Sequence, residues 1–340
     1  MVEFDEELQK WTLKWLGLAV MNQIEFIKSQ LQSIRGITGV ENIFLAQRDG
    51  YPVASEGVWL HPDEIFGVSA ASSAIYAVTS RLHETFNYAL IEGSHAKFLI
   101  FAFPGNPQYF ISLTTRSNVN LGVVLQFAQT CSGKIHSLLQ ENNPLPPLRS
   151  YNANQTESIL TSFDTSHSPI STQAPSIGHQ SFILTEVLVN QLQDVLDDFM
   201  GILNGVTHTF VSLNGGYPIS TAGPLNFKIG SQSAFTFALY DTCRKIAWLT
   251  KRMHIDQVTI DLGTEHHFVY SAGPAIFSTI LRKNHLGLGY LRLLIPNFIA
   301  RIKETLDKAA YKAPEPKTQL SLNRFIDSFL TPFNPHTSPS

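Results

Sequence analysis

Gly39-Val40-Glu41-Asn42-Ile43-Phe44-Leu45-Ala46-Gln47-Arg48-Asp49-Gly50-Tyr51-Pro52-Val53-Ala54-Ser55-Glu56-Gly57 is the stretch that decides how this chain of 340 residues is read. It returns 166 positions later, from Gly205-Val206 to Gly223, with seven of its nineteen positions identical and no gap. The identities are Gly39/Gly205, Val40/Val206, Phe44/Phe210, Gly50/Gly216, Tyr51/Tyr217, Pro52/Pro218 and Gly57/Gly223. Chance would give about one, so the chain is one module used twice. Within each copy the stretch reads as a β-hairpin. Arg48-Asp49-Gly50 and Asn214-Gly215-Gly216 are turns with glycine where a positive φ is needed. Pro52 and Pro218 lack an N–H, so each belongs at a strand start or facing away from a ladder.

The flanks give each copy the same order: helix, two strands, helix, three strands, helix. Residues 5–35 carry apolar side chains in steps of three and four, and Gly36 ends that helix. His61-Pro62-Asp63-Glu64 opens the middle helix of copy one, which is expected to run to about residue 86. Strands are expected near 88–92, 95–103 and 109–115, then a closing helix at 118–140. Copy two repeats the order with helices at 182–203, 228–251 and 286–306 and strands at 206–213, 217–221, 254–261, 266–271 and 275–282. Tight turns between the strands make the sheet antiparallel with helices on its faces, an α+β layered class.

Between the copies, 24 of the 40 residues from 142 to 181 are Ser, Thr, Asn, Pro or Gln, and this segment reads as a flexible linker. Its reach of about 35 Å lets the modules pack side by side. The divisions are therefore 1–141 (first module with an extended N-terminal helix), 142–181 (linker), 182–310 (second module) and 311–340 (a Pro-rich tail with a short amphipathic helix at 320–330).

The middle helices hold the candidate site. In copy one, Ile65, Val68, Ile75, Val78, Leu82 and Phe86 form a stripe for the sheet, while Gly67, Ala70, Ala74, Ala77 and Arg81 form a nearly bare ridge. That ridge serves either internal packing or contact between the modules. In copy two, Phe237, Asp241, Arg244 and Trp248 lie away from the sheet-facing Phe235, Leu239, Ile246, Leu249 and Met253, and their aromatics are expected to fill against the ridge.

Composition narrows the function. A formal net charge of −3 without a Lys/Arg run gives no footprint for nucleic acid. The apolar run from Trp15 to Met21 is too short to span a bilayer and follows acidic residues, so neither a transmembrane segment nor a secretion signal is expected. The reading is cytoplasmic, with any membrane association made through partners. Cys131 and Cys243, one per copy, read as buried thiols, and no Cys/His spacing suits zinc. His266-His267 point to opposite faces of a strand and cannot share a metal. Ser132-Gly133-Lys134 lacks the remainder of a phosphate-binding loop, and no G-x-S-x-G, HExxH or GxGxxG occurs. No catalytic, cofactor or metal residue is assigned.

The element order, together with Gly39-Val40…Phe44…Asp49-Gly50-Tyr51-Pro52-Val53-Ala54-Ser55, resembles the roadblock family. Ile91-Glu92-Gly93 and Asn118-Val119-Asn120-Leu121-Gly122 are similar to that family's later strand and the start of its last helix. The resemblance covers most of residues 20–140 and, more weakly, 182–308. It includes dynein light chains of the roadblock type, a bacterial gliding-polarity regulator of a Ras-like GTPase, and lysosomal scaffolds for Rag GTPases. It implies two modules, each a five-stranded antiparallel sheet flanked by helices, packed as a pseudo-dimer through the middle helices and an adjacent strand. The implied function is that of a non-enzymatic scaffold or regulator binding a small Ras-like GTPase, with other roadblock proteins or a second copy of the chain as further partners. No arginine finger is expected of Arg81 or Arg244. The alternative is a pair of small-molecule sensor domains of the PAS or GAF type, which also place helices around an antiparallel sheet.

Overall fold

The structure, a computed structural model, describes residues 21–60, 62–82, 86–103, 108–141, 184–224, 228–250, 254–283 and 288–309. The expected first part of the N-terminal helix, the linker and the amphipathic tail segment lie outside these residues. Residues 21–35 are helical (α1). They lead to β1 (Val40–Gln47), β2 (Pro52–Gly57), α2 (Pro62–Leu82), β3 (Tyr88–Gly93), β4 (Ala96–Ala102), β5 (Tyr109–Arg116) and α3 (Leu121–Glu141). The second copy runs α4 (Glu186–Ile202), β6 (Val206–Leu213), β7 (Pro218–Ala222), α5 (Ile229–Thr250), β8 (Ile255–Asp261), β9 (Glu265–Ala272), β10 (Ala275–Arg282) and α6 (Leu288–Ala309).

All strands belong to one ten-stranded sheet in the order β2-β1-β5-β4-β3-β8-β9-β10-β6-β7. Each half contributes five consecutive strands, and every pairing is antiparallel. The halves meet where β3 pairs with β8, with Tyr88 opposite Asp261, Leu90 opposite Thr259 and Glu92 opposite Gln257. That pairing covers what would otherwise be an open edge in each half. The outer edges are β2 and β7, and each begins at its proline, where a missing N–H removes no ladder bond.

Three apolar clusters hold the helices to the sheet. Alternation along β3 sends Ala89 and Ile91 to one face and Leu90 to the other. On the first face one cluster unites both halves: Val68, Ile75 and Tyr76 of α2 and Leu239, Tyr240, Cys243 and Ile246 of α5 pack over Ile91, Phe98, Val258 and Ile260. On the opposite face each half keeps its own cluster. Ile27, Leu31 and Ile34 of α1 join Val124, Ala128 and Ile135 of α3, while Leu192, Leu196 and Phe199 of α4 join Leu291, Ile295 and Phe298 of α6. Phe199 anchors the latter edge-on, 5.2 Å from Phe277 and 5.0 Å from Phe298.

The repeated hairpins are fixed to their helices in the same way. Gly50 and Gly216 have φ of +90° and +81°, and a Cβ there would lie 2.9 Å from Ala70 Cα and 2.7 Å from Ala234 Cα. Glycine is required twice over, by the left-handed backbone and by the approach to a helix. Copy one adds a feature without a repeat. Asn42, 2% exposed, accepts from the N–H groups of Val58, Trp59 and Leu60 and donates to Thr114 Oγ1 at 2.8 Å. It thereby shapes the connection into α2. His208 occupies the corresponding place in copy two.

Candidate partner-binding face

α2 and α5 lie against one another over the middle of the sheet, and Leu249 Cδ2 comes within 3.8 Å of where a Cβ on Gly67 would stand. Helical spacing puts Ala71 and Val78 on the same side as Gly67, and both pack against the shared cluster. The rest of the expected ridge turns outward. Ala70, Ala74 and Arg81 are exposed and Ala77 is half-buried. In α5, Phe237, Asp241 and Arg244 are half-buried and Trp248 is 59% exposed. The expectation that Trp248 fills the seam is thus corrected, whereas Phe237 packs against the shared cluster, and of the ridge residues Gly67 is the one that faces Leu249 of the other helix.

The reason lies on the buried side of α2, which carries Ser69, Ser72 and Thr79 beside Val68, Ile75 and Tyr76. Ser72 donates to the Val68 carbonyl at 2.7 Å and Thr79 to that of Ile75 at 2.8 Å. Hydroxyls satisfied within their own helix can face a core. They occupy the side toward the sheet, and the alanines fall opposite. α5 repeats the device, with Thr250 donating to Ile246 at 3.0 Å.

The outcome is an outward surface spanning both halves, low in charge and height at its centre. Phe66, exposed and edge-on to Tyr51 at 5.7 Å, stands at one end. Trp248 rises from α5 beside an exposed Lys245–Asp241 pair at 3.2 Å. Tyr51 and Tyr217 sit at the hairpin tips, and Tyr217 is exposed. Because Trp248 is mostly in solvent, Trp248→Ala is expected to change stability by less than about 0.5 kcal/mol, measured by urea unfolding. A larger loss would return it to the seam.

Tyr76, Tyr240 and Cys243 are buried below this surface, and Cys131 is buried in the cluster on the opposite face. Burial raises the phenol pKa of Tyr76 and Tyr240, pushes Cys131 up to about 12 and moves Cys243 higher still. Both cysteines are free. Among the described residues no cluster of His, Cys, Asp or Glu is arranged to hold a metal, and no helix is long and apolar enough to cross a membrane.

The opposite face of the seam is polar. Glu92 of β3 receives Nε2–H of Gln257 and, at 2.7 Å, Nη2–H of Arg292, with Lys97 at 3.3 Å. Asp261 of β8 receives Asn87 Nδ2 at 2.8 Å and Lys283 Nζ at 2.7 Å. Burial alone would raise the Asp261 pKa, but Lys283, the Gly263 N–H and Asn87 together hold it below its ordinary value. His266 lies 3.8 Å from Asp261, beyond hydrogen-bonding reach. Burial outweighs the carboxylate's attraction and lowers the imidazole pKa below 6.5, so at neutral pH the two are not an ion pair. Both shifts have one sign for stability. A group whose pKa is lowered by folding stabilises above its unfolded pKa and loses that contribution as pH falls. His266 acts first, below about pH 6.5, and Asp261 only in stronger acid. The melting temperature is expected to fall between pH 7.5 and 5.5. His266→Asn should make that fall shallower, with a remainder from His208, whose pKa burial also lowers. An unchanged slope in a folded variant would contradict this.

The element order and the join through the middle helices and an adjacent strand coincide with the architecture that the hairpin resemblance implied. Each half is a five-stranded antiparallel sheet flanked by helices, as that resemblance implied. Among solved structures, one part of the chain is similar to MglB from Myxococcus xanthus (18% identity, 39% of this chain and 99% of that one, TM-score 0.36). It is also similar to the gliding protein MglB from Thermus thermophilus (16% identity, 35% and 93%, TM-score 0.33). A Roadblock/LC7 domain from Streptomyces avermitilis gives 12% identity over 34% and 96%, with a TM-score of 0.31. Values this low bring no function with them, and the fold assignment rests on the chain's own topology. No family model matches the chain, and no curated protein matches its sequence significantly. Sequence placed the hairpin glycines and both middle helices. It missed Asn42, Glu92 and Asp261, for which a buried polar position in an otherwise apolar strand was the available signal.

Proposed function

We propose that the chain is a non-enzymatic scaffold that binds a small Ras-like GTPase across the outward face of α2 and α5. The observation that carries this reading is that face itself. Two middle helices from different modules lie together over one uninterrupted sheet and offer a surface that neither module has alone. Ala70, Ala74 and Ala77 leave room for a close approach, and Phe66 and Trp248 supply the exposed aromatic anchors that interfaces favour. The two carboxylates with the richest ion pairing, Glu92 and Asp261, lie on the other face and are engaged within the fold. The interiors built from interlocked phenylalanines favour a scaffold over a PAS- or GAF-type sensor, which needs a ligand cavity.

The test is a pull-down of purified small GTPases from the source organism, each loaded with GDP or a GTP analogue, on the immobilised full chain. One GTPase is expected to bind, and Ala74→Arg, which places a long charged side chain in the low centre, is expected to weaken it at least tenfold without unfolding the chain. Failure of every GTPase in both states would overturn the reading. Binding that survives Ala74→Arg and Trp248→Ala would move the site elsewhere.

A further inference from the structure

The seam between the modules is nearly two-fold symmetric in backbone and unsymmetric in chemistry. Its register pairs Tyr88 with Asp261, Leu90 with Thr259 and Glu92 with Gln257. The internal repeat aligns Ala89-Leu90-Ile91-Glu92 with Val258-Thr259-Ile260-Asp261, an offset of 169. Glu92 and Asp261 are therefore counterparts, each opposite a basic residue on the next strand, Lys97 and His266. The residues directly opposite them, Gln257 and Tyr88, are counterparts in position but not in chemistry, and their other partners across the seam are not counterparts.

Glu92 takes Gln257 and Arg292 from copy two. In copy one the matching positions hold Tyr88 and, at an offset of 166 or 167 along the last helix, Leu125 or Gln126, none of them a cation. Two copies of module one would leave Glu92, whose side chain is 12% exposed, with Lys97 as its sole cation. Asp261 takes Asn87 and the Tyr88 hydroxyl from copy one. The counterpart of Asn87 in copy two is Asp256. Two copies of module two would bring that carboxylate toward Asp261. In the tandem chain Asp256 avoids Glu92 because the ladder slips between Glu92 and Gly93, so that Gly93 pairs with Ile255 and Asp256 turns out to solvent.

We propose that the β3–β8 seam is a lock for unlike modules: it accepts module one against module two and disfavours a like module from a second copy or another roadblock protein. The partner it fits is a module presenting a strand with glutamine opposite Glu92 and a cation at the position of Arg292. Specificity of this kind needs both an attractive pair in the right complex and an unpaired or repelling group in the wrong one. Glu92–Arg292 supplies the first, and Asp256 against Asp261 the second. Selection by this seam is independent of whether a GTPase binds the other face.

The experiment uses the full chain. Glu92→Arg and Arg292→Glu are made separately, and each should lower the melting temperature by about 5 °C by facing like charges across a largely buried position. The two proteins are then unfolded in urea, mixed and refolded, and particle mass is measured by light scattering. In the mixture each altered position meets its complement on the other chain, and the native Glu92 and Arg292 meet as well. The expected result is a particle of two different chains, with melting restored, that neither protein forms alone. The double variant should also recover as a single chain. Should either single variant fail to refold, Glu92→Gln, Arg292→Met and their combination give the coupling directly, and the combination is expected to lose no more than the worse single. A mixture that behaves as the sum of its parts, or losses that simply add, would overturn the lock.

Discussion

Gly216→Ala is expected to remove about 3 kcal/mol of stability, and Gly50→Ala nearly as much. The two positions are the fixed points of the repeat, and each combines two constraints. The backbone is left-handed, with φ near +80° to +90°, which costs any side chain. A Cβ would also stand 2.7 Å from Ala234 Cα, or 2.9 Å from Ala70 Cα, and those neighbours are helix backbone that cannot swing aside. The hairpin is tied to the helix beyond the glycine as well: Ser233 donates to the Gly216 carbonyl at 2.8 Å, and Ser73 donates to the Arg48 carbonyl. A shifted turn would therefore drag α2 or α5 with it. The control is Gly133→Ala in α3, where a Cβ would meet nothing within 4 Å. There the higher helix propensity of alanine should stabilise by about 0.5–1 kcal/mol. Chemical unfolding of the three variants checks the contrast, and equal effects at positions 133 and 216 would refute it.

The second large effect is expected at the seam. Ile91 and Val258 face each other across β3 and β8, both fully buried in the cluster that spans the two modules. Ile91→Ala should cost about 3 kcal/mol, and Ile91→Asp about 5 kcal/mol or more, since a carboxylate is then buried without a partner. The informative part is where the loss is felt. Leu239, Cys243 and Ile246 of α5 pack in the same cluster as Val68 and Ile75 of α2. A change in copy one must therefore loosen copy two, and unfolding should stay a single transition. Two transitions, with only the first moved by Ile91→Ala, would mean the modules are independent.

How much of this was open to reading from residues depends on the distance over which each interaction acts. The hairpins, helix starts and the order of elements along the chain rest on local chemistry: a glycine at a turn, a proline at a strand start, apolar steps of three and four. These carried over with boundaries differing by a few residues, as for α2, which is described to Leu82 and is not helical at Phe86. The sheet-facing stripes of α2 and α5 were legible, but the use of the α2 alanine ridge was not, because small side chains suit a close helix approach and open solvent alike. A hydroxyl bonded to the carbonyl four residues back behaves as a small core group, and so Ser72 and Thr79 face the sheet while Ala70 and Ala74 face solvent. The bonds of Glu92 to Gln257 and Arg292 were beyond reach, because they join positions 165 and 200 residues apart and exist only once the modules have met. Asn42 belongs to the same class, with its Thr114 partner 72 residues away.

The central claim is that the two modules form one sheet through β3 and β8, and amide hydrogen exchange on the intact chain tests it most directly. In an antiparallel strand alternate N–H groups point to each neighbour. The amides of Tyr88–Gly93 that point away from β4, and those of Ile255–Asp261 that point away from β9, have partners only if the seam exists. The account predicts that both sets are protected and open together with the cluster beneath them, at the free energy of global unfolding. Exchange of either set at the rate of an open sheet edge, while the β3–β4 and β8–β9 amides stay protected, would contradict it.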